Sequence, residues 1–100
     1  MTDALLENVS ALAGEMQGLA RQAHTQYAVE VDAVIAACSR DARHIERLLD
    51  GILDFGFDDA MTQLFKRLCR YYYTLDPAAT ADYVHTYRDM WDSEEEVADG

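Results

Sequence analysis

From the N-terminus to residue 38, apolar side chains return every three or four positions: Leu5, Val9, Leu12, Met16, Leu19, Ala23, Tyr27, Val31, Val34 and Cys38. This is the 3.6-residue period of a helix with one apolar face, and it predicts helix throughout. Gly14 and Gly18 each weaken the middle by up to about 1 kcal/mol relative to alanine, so the pattern allows one long helix or two with a bend near Ala20 to Thr25. Their four-residue spacing also suits close helix approach, a signal that is specific only within membranes. Val29 and Val31 around Glu30 briefly imitate a strand, and the flanking helical period outweighs them.

Ser39 or Asp41 can cap a second helix, whose stripe is Ile45, Leu48, Leu49, Ile52 and Leu53; it is expected from about 41 to 54, with Gly56 as the breaker. Asp58 or Asp59 starts a third, apolar at Met61, Leu64, Phe65, Leu68, Cys69 and Tyr72. The link Phe55, Gly56, Phe57 is short enough to make these two helices antiparallel neighbours, with both rings against the core. Asp76 followed by Pro77 is the sharpest boundary, because proline disfavours helix at the residue before it and suits the first helical position. Ala78 to Trp91 then read as a last helix with Tyr83, Val84, Tyr87 and Trp91 on one side. With no repeat or linker, the expected architecture is all-alpha: a compact single-domain bundle of four or five helices over residues 1–91, then an acidic tail, frayed or solvated, at 92–100. The least exposed side chains should include Leu12, Met16, Leu19, Tyr27, Ile45, Leu49, Leu64, Leu68 and Tyr87.

Half of the 100 residues are hydrophobic, which excludes wholesale disorder and gives a modest core without disulfide staples. Cys38 and Cys69 are expected to be buried free thiols. No uncharged apolar run is long enough to span a bilayer and no basic segment precedes an apolar one at the start, so the expectation is a soluble cytoplasmic protein. Charge changes the picture most. Nineteen acidic against eight basic side chains give a net charge of -11, concentrated in residues 1–39 and 71–100. Such a field repels nucleic acid and anionic membranes and attracts basic partners.

Candidate chemistry is sparse. His85 has Asp82 and Asp89 at helical spacing, and His44 sits among Arg40, Arg43, Arg47 and Asp41, but surface pairing accounts for both. Phosphate-binding, metalloprotease and nucleophile-elbow motifs are absent. Asp82, His85 and Asp89 fall short of the convergent ligands a metal needs, and no close Cys or His pair supports zinc at Cys38, His44, Cys69 and His85. The expectation is therefore no enzyme and no cofactor. Lys66 to Tyr73 form a basic, aromatic segment of the kind that binds single-stranded nucleic acid, but the net field opposes that use; Leu68, Cys69 and Tyr72 are expected inward, with Lys66, Arg67 and Arg70 pairing with acids.

The acids form rows. Glu46, Asp50 and Asp54 recur at four residues, about 6 Å per step on a helix, while Asp82, Asp89 and Glu96 recur at seven. Like charges four apart oppose the helix by about 0.2 to 0.5 kcal/mol per pair, partly offset by Arg43 and Arg47. A carboxylate row on a rigid helix imitates a phosphate row and fits a basic cleft, and tyrosine suits interface cores. The expected partner-binding residues are Glu46, Asp50, Asp54, Tyr73, Asp82, Tyr83 and Asp89. They suggest a small acidic module that occupies a basic surface of a nucleic-acid-binding protein, with a homodimer compatible. In size and charge alone, the chain is comparable to phage-borne inhibitors of restriction or CRISPR complexes. The alternative is a structural or regulatory helical homo-oligomer, in which the first helix completes its core against another copy.

Overall fold

A computed structural model describes residues 2–92, with side chains from Asn8 onward; the expected tail beyond Asp92, Glu96 included, and the side chain of Leu5 lie outside the described residues. Four helices follow in order: α1, Thr2–Ala36; α2, Ala42–Leu53; α3, Asp59–Tyr73; α4, Pro77–Trp91. Three of them begin on an aspartate whose carboxylate accepts a first-turn amide. Asp41 receives the His44 N–H at 3.2 Å, Asp58 that of Met61 at 3.0 Å and Asp76 that of Ala79 at 3.0 Å, each cap contributing about 1 kcal/mol. Pro77 stands at the start of α4, where its missing N–H costs nothing.

The core lies where α2 and α3 interlock. Ile45, Leu48, Leu49, Ile52 and Leu53 of α2 meet Met61, Leu64, Phe65, Leu68, Cys69 and Tyr72 of α3, while Val31 and Val34 of α1 close one side. Opposite, α4 covers α3 with the half-buried Tyr83, Val84 and Tyr87, and the Tyr87 ring stacks on Phe65 at 5.3 Å. Two hydrogen bonds tie the connections down: Tyr71 Oη donates to the Ser39 carbonyl at 2.6 Å, and Trp91 Nε1 donates to the Leu53 carbonyl at 3.0 Å. The indole reaches that carbonyl because residue 56 is glycine, since a Cβ there would occupy the space of the ring. Gly51 gives the Tyr27 ring the same access to α2.

Of the two forms that the period allows for the first 38 residues, the structure shows one continuous helix, α1. Its 35 residues run about 52 Å, against about 18 Å for α2 and 22 Å for α3, so the bundle covers only its C-terminal half. Consequently Leu12, Met16 and Leu19 are not core residues: they are 59%, 44% and 58% exposed, and Val9 is 58% exposed. Tyr27 and Tyr87 are half-buried and only pack against the core. Phe57 lies largely in solvent at the α2–α3 turn, whereas Phe55 is half-buried against the core.

Cys38 is also exposed, because it follows the last turn of α1 with φ 51°. Its N–H donates to Ile35 O at 3.1 Å and the Ser39 N–H reaches back to Val34 O at 3.0 Å, the paired bonds of a helix stop that favours glycine at the left-handed residue. Cys38→Gly should therefore raise unfolding stability by about 0.5 to 1 kcal/mol, read as a higher urea midpoint at unchanged slope. An unchanged or lower midpoint would show that the left-handed strain is negligible.

Candidate functional site

The expected partner-binding residues fall mainly on α2 and α4. Tyr83 Oη donates to the Glu46 carbonyl at 3.4 Å, and Trp91 makes the bond to Leu53 described above, so the two helices run in the same direction with both acidic rows advancing together. Between them lies a cleft of about 240 Å³ lined by Asp50, Leu53, Asp82, Tyr83 and Thr86. The fold thus brings Asp50, Asp82 and Tyr83 to one place. Glu46 adjoins them, half-buried, with its carboxylate accepting from Tyr72 Oη. Asp54, Asp89 and Tyr73 are exposed, and none of them lines the cleft.

Electrostatics mark this face as costly to the fold. Among the described residues Arg67 pairs with Asp32 and the His44 ring lies 3.7 Å from Glu30, and no Lys or Arg lies within ion-pair distance of Asp50, Asp54, Asp82 or Asp89. Arg43 and Arg47, expected to compensate the α2 row, make no ion pair among the described residues. The Asp41 carboxylate at the N-cap suits the α2 dipole, but Arg43 stands in the first turn and Asp54 at the C-terminal cap, both against it. A carboxylate at that end costs roughly 0.3 to 1 kcal/mol. Burial raises the Tyr83 hydroxyl well above its ordinary value, and the carboxylates of Asp50 and Glu46 push it further. It remains a neutral donor at the cleft wall.

Elsewhere the chemistry is weak. Among the described residues no three His, Cys, Asp or Glu side chains gather as a metal would require. His85 is exposed, with no hydrogen bond to Asp82 or Asp89. Burial pushes the Cys69 thiol up to about 11, which leaves it unreactive near neutrality. In the basic segment Leu68, Cys69 and Tyr72 point inward as expected, and among the described residues Arg67 is the one of the three cations that pairs with an acid. Lys66 and Arg70 instead join Arg88 and Asp92 around a second cleft of about 460 Å³ that Phe65, Cys69, Val84 and Tyr87 also line. That grouping escaped the sequence reading: Lys66 and Arg70 show helical spacing, but the contribution of Arg88 depends on the packing of α4 on α3. Comparison of the chain with protein-family models, with curated proteins and with solved structures found no significant match.

Proposed function

We propose that the protein is a non-catalytic interaction module that works inside the cell by placing its acidic α2–α4 face on a basic surface of a nucleic-acid-binding protein, in competition with nucleic acid. The observation that carries this reading is the convergence of Asp50 and Asp82 on one cleft with no Lys or Arg among the described residues within ion-pair distance, beside Asp54 at the unfavourable end of the α2 dipole. Carboxylates gathered at one cleft without a Lys or Arg partner among the described residues are suited to an external cation. A lysine- and arginine-rich surface would supply it, and the long-range field would speed the encounter.

The test begins with capture of partners from the native cell background, then measures displacement of nucleic acid from a captured protein. Asp50→Asn with Asp82→Asn keeps side-chain size and deletes two charges. The pair should leave helix content unchanged, weaken binding by about 1 to 3 kcal/mol and flatten its salt dependence. If the unaltered protein binds equally well with nucleic acid already in place, the two sites are uncoupled and mimicry is wrong.

A further inference from the structure

The apolar face of α1 continues beyond the bundle. Ala20, Val31 and Val34 are buried on it, and Ala23 and Tyr27 pack against the core. Toward the N-terminus the same face carries Val9, Leu12, Met16 and Leu19, all exposed. Their steps of three, four and three residues alternate the two inward positions of a heptad, with Val and Met at one and Leu at the other. Such a seam is shaped to receive a second helix of the same period. The α2–α3 turn meets α1 beside Gln17 and Arg21, on a different side of the helix from the seam, and leaves the seam uncovered.

Charge selects the occupant. Between residues 8 and 29 the charged side chains are Glu15 and Arg21, one of each sign, in a chain of net charge -11. A basic partner drawn in by the acidic field finds nothing to pair with here, whereas another copy brings an identical neutral seam. We propose that the protein self-associates through this face, α1 against α1 of a second copy. The helices run antiparallel, with Val9 opposite the partner's Leu19 and Leu12 opposite the partner's Met16.

The direction follows from the fold. Seam and bundle occupy one face of α1, so a parallel partner would drive all of its residues 20–36 into the space that α2 and α3 fill, whereas an antiparallel partner brings only its first turns, residues 2–8, alongside the bundle. Antiparallel pairing sends the second bundle to the far end, which also separates the two acidic bodies. The seam from Val9 to Leu19 is about 15 Å long, a small interface, so the dimer is weak and reversible.

Sedimentation velocity from about 1 to 500 µM tests this. The mass should pass from monomer to dimer across that range, and added salt should increase the dimer, because screening relieves repulsion between the bodies. Leu12→Gln with Leu19→Gln should raise the dissociation constant about a hundredfold at unchanged helix content, since both sites are exposed. Leu12→Ala with Leu19→Ala, which favours helix, should give the same loss should the glutamines disturb folding. In a Cys38→Gly background, Val9→Cys mixed with Leu19→Cys should form a disulfide-linked dimer that neither forms alone. A monomer at every concentration, or a dimer that these leucine variants leave intact, overturns the proposal; cross-linking of either cysteine variant with itself overturns the antiparallel arrangement.

Discussion

Raising the pH from 10 to 11.5 should remove about 3 kcal/mol of folding stability, a large part of what a domain of this size possesses. Tyr72 and Tyr83 are responsible. Tyr72 is buried, and its hydroxyl donates to the Glu46 carboxylate; burial raises its ionisation first, then the hydrogen bond and charge of Glu46, then Asp76. Tyr83 is raised by burial and then by Asp50 and Glu46. Each hydroxyl therefore holds its proton in the folded state beyond the unfolded value of about 10, so its contribution is complete below pH 10 and declines above it at about 1.4 kcal/mol per pH unit. Cys69, pushed up to about 11 by burial, shifts stability in the same direction and begins to do so earlier, near pH 9. Urea titrations at pH 8, 10 and 11.5 measure the effect. Tyr72→Phe with Tyr83→Phe should flatten most of the decline between the last two points, and an equally steep loss in that variant would assign alkaline unfolding to other groups.

Leu68→Ala should cost about 2 to 5 kcal/mol, because the side chain is wholly buried in the middle of α3 and truncation leaves a cavity. Its surroundings cannot readily collapse, since α2, α3 and α4 are fixed to one another by the Tyr83 and Trp91 hydrogen bonds and the stacked Phe65–Tyr87 pair. Leu12→Ala serves as the comparison. Leu12 was expected in the same core but is exposed, so in the monomer its truncation should change stability by about 0.5 kcal/mol or less. Equal losses at the two positions would mean that the N-terminal half of α1 is covered in solution.

Local chemistry explains which parts of the molecule could be read from the sequence. Asp58, Asp76 and Pro77 mark helix starts through groups within three residues of themselves, and the inward sides of α2 and α3 follow from period alone. Burial along α1 does not, because a periodic apolar face states what can be covered and not whether anything is long enough to cover it. The mismatch was nonetheless visible in the expected lengths of the second and third helices. Cys38 carried no such signal, since cysteine is not a residue that announces a left-handed helix stop. For the candidate face, both acidic rows were evident as rows. The meeting of Asp50 with Asp82 and Tyr83 depends on the parallel course of α2 and α4, which is set by tertiary bonds from Tyr83 and Trp91.

The unequal cover of α1 also gives one continuous helix two thermodynamic regimes. Beyond Ala20 its amides are released only when the bundle opens, so their hydrogen exchange reports global unfolding. Before Ala20 the turns rest on helix propensity alone, over a length at which isolated helices are marginal in water and with Gly14 and Gly18 lowering it further. Exchange protection should therefore fall in a step along a rod with no visible joint. The exposed seam exists only in the fraction of molecules whose N-terminal turns are wound at that moment, so warming depletes the surface through a helix–coil equilibrium well before it melts the bundle.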